Sequence, residues 1–392
     1  MNADRSNENG GAAHPATIDI RTEFPIKEQY AFLNHASVAP IPATTQAAIA
    51  RFAQVAAEEG PANYVAWLHG MSLARQAAAA VVNAPAPEDV CFVKSTNHGL
   101  NIVANSVNWD AGDNVVWLDH EFPANVLPWK GLTRLGVEGR VVPEGADHRY
   151  SVDDIAARID ARTRLVAVSW VEYATGTRND LAAIGALCRD RGVMFCVDGI
   201  QGLGVLPMDV QALGIDFLMA DGHKWMLAPE GCGILYVRRE RIAEMNTSMC
   251  GWCGLKNPQD YGNVDQDYKA DARRFEEGSH NLMSIIALGA SLRLLLDAGL
   301  NQGDVATRIR ALTTLLMESA AAKGWRVATP TDWHDRAGIV ALDKPGMDGA
   351  PLVAGLLKDH KIQVAFRRGF IRAAPHFYND ESEIARLVDA LP

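Results

Sequence analysis

Five short apolar runs recur between stretches with helical spacing: NVVWLD (Asn114 to Asp119), RLVAVSW (Arg164 to Trp170), VMFCVD (Val193 to Asp198), DFLMA (Asp216 to Ala220) and GILYV (Gly233 to Val237). Each run is unbroken rather than alternating, which is the pattern of a strand buried on both faces. Such strands need helices on both sides, so the expected fold class is α/β with a mostly parallel sheet. The stretch DLAAIGALCRDRG, Asp180 to Gly192, fits a crossover helix opened by an aspartate and closed by a glycine. In open parallel sheets ligands gather at the carboxyl ends of the strands. SWVEYATGT, DGIQG and DGHKW all fall at such ends and are expected to converge on one pocket.

A chain of 392 residues is long enough for one large core domain and a smaller one. Residues 1–20, polar and without a hydrophobic period, read as a disordered arm. Residues 21–60 read as a segment joining the small domain, 61–265 as the large domain and 266–392 as the C-terminal small domain. The last begins where the pattern shifts to long helices such as LMSIIALGASLRLLLDAG. After Pro42 the alanine-rich run to Gly60 carries Ile49, Phe52 and Val55 at helical spacing. The formal net charge of -10 argues against nucleic acid or an anionic membrane as a general partner. No apolar run reaches the roughly 18 residues that span a bilayer, and the polar N-terminus lacks a signal-peptide core, so the expected location is cytoplasmic. Six cysteines in this length predict reduced thiols rather than a disulfide framework. Cys250 and Cys253 in CGWC have the spacing of a redox pair or half a zinc site. The surrounding pattern supplies neither a small βαβ unit nor further ligands, so two inert thiols and no metal are expected.

Lys224 follows the DFLMA run and Asp198 closes VMFCVD. Together they suit pyridoxal 5′-phosphate, which needs a lysine amine for its aldehyde and a carboxylate to keep the pyridine nitrogen protonated. Gln201 stands where it can reach the ring hydroxyl, and KSTNHGLN, Lys94 to Asn101, offers a helix start for the phosphate. Taken alone, Lys224 would be a surface lysine and Asp198 a cap; their pairing makes the chemical reading.

VDGIQGLGVLPMDVQALGIDFLMADGHKW, followed by GCGILYV, resembles the core of the class V aminotransferase family. This is the group of cysteine desulfurases and isopenicillin N epimerase-like enzymes within the fold type I pyridoxal phosphate enzymes. FLNHASVAPIP, STNHGLN, EFPANVLPW, RRFEEGSHN and IRAAPHFYN resemble further family motifs, in family order from about residue 30 to the end. The resemblance implies that Lys224 bonds the cofactor, Asp198 pairs with the pyridine nitrogen and Gln201 meets the ring oxygen. It implies that Thr96, Asn97 and His223 hold the phosphate, while Gly278 and Ser279 reach the phosphate of a second subunit in a homodimer. Arg372 is expected to clamp the substrate carboxylate, with Asn34, His35 and Ala36 lining the substrate side. Tyr64, Glu172 and Tyr173 are further candidate contacts; His98 is as readily a loop histidine.

The departures from the family bear on the reaction. Phe122 stands where desulfurases stack a histidine on the ring, so stacking survives without that histidine's proton chemistry. Tyr173 replaces an asparagine beside the ring oxygen, and Asp221 replaces a phosphate-binding serine. IQVAFRRGFIR lacks the cysteine that desulfurases carry ahead of the carboxylate-binding strand. The expected activity is an amino-acid aminotransferase or related lyase. Epimerisation is the alternative, with desulfuration less favoured and a cofactor-binding regulator disfavoured by the presence of Lys224, Asp198 and Arg372.

Overall fold

The computed structural model describes residues 18–392; positions 1–17 of the expected arm lie outside the described residues. The strands are β1 (Ala31–Phe32), β2 (Val90–Val93), β3 (Asn114–Leu118), β4 (Glu138–Val142), β5 (Thr163–Ser169), β6 (Met194–Asp198) and β7 (Phe217–Asp221). They continue with β8 (Gly233–Val237), β9 (Arg326–Val327), β10 (Val340–Asp343), β11 (Ile362–Gln363), β12 (Ala365–Arg367) and β13 (Phe370–Ala373).

A seven-stranded sheet takes the order β2-β8-β7-β6-β5-β3-β4. Neighbours from β4 through β7 pair in parallel, and β8 runs antiparallel to both β7 and β2. The unbroken runs are explained by the packing. Val166, Val168, Phe195 and Val197 enter the core on one face of the sheet, while Leu165, Ala167, Met194 and Cys196 enter the core on the other. The Leu181–Arg191 helix forms as its ends predict: the Asp180 side chain accepts from Ala183 N, and Gly192 turns the chain at φ 65°. Among the described residues no helix is long and apolar enough to cross a membrane.

A second, antiparallel sheet has the order β12-β13-β10-β9, and a third core cluster fills the space between it and the Asp304–Ala322 and Glu381–Ala390 helices. The N-terminal segment is tied to these C-terminal elements, since Ala31 and Phe32 of β1 pair in parallel with Ile362 and Gln363 of β11. Phe24 stacks on Tyr378 with ring centroids 3.8 Å apart. The long Leu282–Asp297 helix belongs elsewhere than its place in the sequence suggests. Ile285, Leu288, Leu292 and Leu295 join the large-sheet core with Met71 and Ala74 of the Tyr64–Val82 helix. The close approach rests on small residues, because a Cβ on Gly289 would lie 2.7 Å from that of Ala74.

Candidate active site

The chain enters the sheet, steps outward from β3 to β4 and returns to the other side of β3 as β5. That reversal opens a crevice at the carboxyl ends of the strands. The segments that leave these ends bear the candidate residues: Thr96 after β2, Phe122 after β3, Tyr173 after β5, Asp198 at the end of β6 and Lys224 after β7. β7 extends through Asp221, one residue further than the apolar run suggests, so Lys224 stands three positions past the strand.

The turn bearing Lys224 is held by its neighbour. Trp225 is fully buried; its indole N–H donates to Gln201 Oε1 at 2.8 Å, and its carbonyl accepts from His376 Nε2 at 3.0 Å. Gly204, at φ 96°, lets the chain pass beneath this turn, since a Cβ there would sit 2.2 Å from the Trp225 carbonyl oxygen. His376 Nδ1 accepts from Phe377 N at 2.8 Å, so the two contacts fix a neutral imidazole protonated at Nε2. Burial accordingly pushes its pKa down to about 4, partly offset by the bond to the Trp225 carbonyl.

Burial also governs the charged groups. It lowers the Lys224 ammonium to about 8, against the pull of Asp198, and the charges of Arg372 and Arg367 lower it further. Burial raises Asp198 to about 6, while the Ile200 N–H bond at 3.0 Å and Lys224 act in the opposite direction. Arg372, in the middle of β13, is brought down to about 9, again mainly by burial. Its guanidinium donates to the Tyr173 carbonyl at 2.6 Å and to Ser37 Oγ at 2.7 Å, leaving Nε without a partner among the described residues. Phe122 meets Tyr173 edge to face at 5.4 Å, and Lys224 Nζ lies 5.6 Å from the Phe122 ring centroid. Phe122 remains 46% exposed, so a ring face is open for a planar ligand.

Asp221 explains its own oddity. Its carboxylate lies 3.1 Å from His223 Nδ1, so it is turned toward the imidazole, while its backbone N–H donates to Thr96 Oγ1 at 2.9 Å. Asp221 Oδ1, Asn34 Oδ1 and Arg372 Nε are buried without hydrogen-bond partners among the described residues. Such groups are costly unless a ligand satisfies them.

A family model described as aminotransferase class-V matches residues 32–387. This chain belongs to the class-V aminotransferase family. Its sequence is 33% identical over 343 residues to a cysteine desulfurase of Klebsiella pneumoniae (strain 342), covering 82% of this chain and 81% of the relative. It is 30% identical over 403 residues to a probable cysteine desulfurase of Methanothermobacter thermautotrophicus, covering 96% and 97%. The complex of the cystine C–S lyase C-DES with its reaction product cysteine persulfide superposes with a TM-score of 0.87 at 25% identity, covering 93% of this chain and 98% of that one. The fold is that of the fold type I pyridoxal phosphate enzymes.

Within this family frame, several side chains sit differently from the sequence reading. His35 is fully buried, with Nδ1 on the Ala374 carbonyl at 2.8 Å and Nε2 on the Tyr378 hydroxyl at 2.6 Å, so it is a packing histidine without a free nitrogen for substrate. Ala36 is buried and gives its carbonyl to Gln201 Nε2 at 3.1 Å. Both ends of the Gln201 amide are thus engaged by protein, and one N–H remains for a ring oxygen. Asn97 donates to the Ala124 carbonyl at 3.2 Å. Gly278 and Ser279, expected at the phosphate of a second subunit, line a groove with Lys94, His98 and Glu277. Tyr64 is 40% exposed on its helix. Sequence reading missed Glu121: buried, it accepts from Ser169 N at 2.6 Å, and burial raises its pKa. Glu172, raised by burial and by Glu121, accepts from Asn179 Nδ2 at 2.9 Å, so two buried carboxyls influence one another at these strand ends. A carboxylate three positions past the end of β3, in EFPAN, was the available signal.

Proposed function

We propose that this class-V enzyme is a lyase that breaks the bond between Cβ and a sulfur substituent of an amino acid, without passing the sulfur to an enzyme thiol. Its cofactor is pyridoxal 5′-phosphate, which when bound takes up the electron pair left at Cα when a proton departs. The residues fit it: an amine poised near neutrality, a buried carboxylate for the ring nitrogen, an open aromatic face, and Thr96 and His223 beside a strand end for the phosphate.

Each side chain then has a defined task. Arg372 spends two of its five N–H groups on Tyr173 and Ser37 and offers the rest to the substrate carboxylate. Lys224, lowered to about 8, is substantially neutral in mildly alkaline solution and can accept the Cα proton. Asp198 stays ionised above about pH 6. As the Cα proton moves to Lys224, the Cβ–S bond breaks and the sulfur leaves with its electron pair.

The observation that carries this reading is the hairpin presenting Arg372. β12 and β13 are joined by Arg368 and Gly369 alone, at φ 49° and 86°, a tight two-residue turn with no room for a thiol-bearing loop. Of the six free cysteines only Cys250 is exposed, and none lies on this hairpin. The relatives' names support sulfur chemistry. Incubating holoenzyme with cysteine, cystine, alanine and aspartate and assaying keto acid, ammonia, sulfide and persulfide tests it. Sulfur release with equimolar keto acid and ammonia is expected. Keto acid formed only when an acceptor keto acid is present would replace the lyase by an aminotransferase.

A further inference from the structure

The segment before β10 holds a buried cation that the chemistry above does not use. Arg336 is only 2% exposed. Its Nη1 donates to Thr313 Oγ1 at 2.6 Å, its Nη2 to Thr314 Oγ1 at 2.7 Å and its Nε to the Thr331 carbonyl at 3.3 Å. All three acceptors are neutral, and they leave two of the five guanidinium N–H groups without a partner among the described residues. The guanidinium carbon also stands 5.0 Å from the Trp333 ring centroid. Burial pushes the pKa of Arg336 down to about 10, the charge of Arg310 lowers it further, and Asp332 acts the other way. A buried charge is costly unless an opposite charge meets it, and here hydroxyls, a carbonyl and a ring face take that place.

This arginine lines a cleft of about 330 Å³ between the Asp304–Ala322 helix and β9. The helix presents Thr314, Met317, Glu318 and Ala321 to it, positions spaced to share one helical face, and β9 presents Val327. The cleft therefore has an apolar wall of Met317, Ala321 and Val327 at one part and an uncompensated cation at another. Small-molecule sites have this composition and this size: mostly apolar, with a few polar groups that fix orientation. Glu318 is exposed in the same lining, so its carboxylate disfavours a second negative charge on whatever enters.

We propose that this cleft is a binding site for an amphiphilic monocarboxylate, a small molecule whose carboxylate pairs with the Arg336 guanidinium while its apolar chain lies along Met317, Ala321 and Val327. The planar fork of the guanidinium suits a carboxylate. The site is separate from the Lys224 group and does not depend on which reaction the enzyme performs.

Holoenzyme is titrated by calorimetry with octanoate, neutral 1-octanol, acetate and the dicarboxylate suberate, in the native chain, in Arg336→Gln and in Ala321→Trp. The last variant fills the cleft from an exposed helix position and leaves Arg336 in place. The native chain binds octanoate about tenfold or more tightly than 1-octanol, which lacks the charge, and than acetate, which lacks the apolar chain. Suberate binds about as weakly as acetate. Arg336→Gln brings octanoate down to the level of 1-octanol, and Ala321→Trp weakens octanoate by at least tenfold; if Arg336→Gln does not fold, Ala321→Trp decides. No octanoate binding by the native chain, equal binding of octanoate with 1-octanol or suberate, or octanoate binding unchanged in Ala321→Trp overturns the proposal. Binding that survives Ala321→Trp but is lost in Arg372→Gln assigns octanoate to the substrate arginine and likewise overturns it.

Discussion

Asp198→Asn separates the cost of the active site from its use. The buried carboxyl titrates at about 6 rather than 3.8, so ionising it in the folded protein costs about 2.2 pK units, or about 3 kcal/mol. The sign follows from the raised value. The penalty is absent below about pH 4, where both folded and unfolded chains carry the acid form, and is complete above about pH 6, where the folded chain must hold the anion. Asparagine keeps the acceptor for Ile200 N and removes the charge. It also removes the attraction to Lys224, which returns part of the gain, so the cofactor-free variant should exceed the native chain by about 1–3 kcal/mol at pH 8 and match it near pH 4. The holoenzyme shows the reverse ranking in function: without the anion beside the ring nitrogen, turnover falls by about a hundredfold or more, the scale of breaking a buried charge pair. Urea denaturation of both cofactor-free proteins at the two pH values reads the first effect, and steady-state turnover reads the second. An Asp198→Asn variant that is less stable than the native chain at pH 8, or fully active, would refute this reasoning.

Acid should weaken the fold through His376. Its pKa is depressed to about 4, so its contribution is present above about pH 6.5 and is lost as pH falls toward 4, amounting to about 3 kcal/mol across 2.5 units. Comparing urea midpoints at pH 7.5 and 4.5 for the native chain and His376→Gln should show a steeper loss in the native chain; parallel losses would count against it. The Cys250→Ser, Cys253→Ser double variant should retain its turnover, since neither thiol lies on the hairpin of Arg372. A double variant that keeps its cofactor but loses sulfur release would restore an enzyme-bound sulfur step. Arg75, fully engaged by Glu276 at 2.7 and 3.0 Å, should be structural: Glu276→Gln is expected to cost about 3–5 kcal/mol in stability, and an unchanged unfolding midpoint would contradict this.

The large sheet was readable because burial on both faces forces unbroken apolar runs, and these runs located Asp198 and Lys224 at their strand ends. β4 escaped because the edge strand EGRVV keeps most of its side chains in contact with solvent and shows no such run. The Leu282–Asp297 helix was assigned by sequence order to the C-terminal unit, yet its apolar stripe answers Met71 and Ala74 about two hundred positions earlier. His35 is the same lesson at the site. A polar residue in a loop suggested a ligand contact, but its partners, Ala374 and Tyr378, are 339 and 343 positions away and leave no local trace. The pairing of Arg368 with Glu144 was equally invisible, since RR in a hairpin does not reveal which arginine Glu144 takes.

The role of Lys224 underlies every chemical statement made for this chain. Holoenzyme reduced with borohydride and mapped by peptide mass spectrometry should carry one phosphopyridoxyl group, on Lys224. A label on another lysine, or none on a protein that retains the cofactor's visible absorption, would contradict the account.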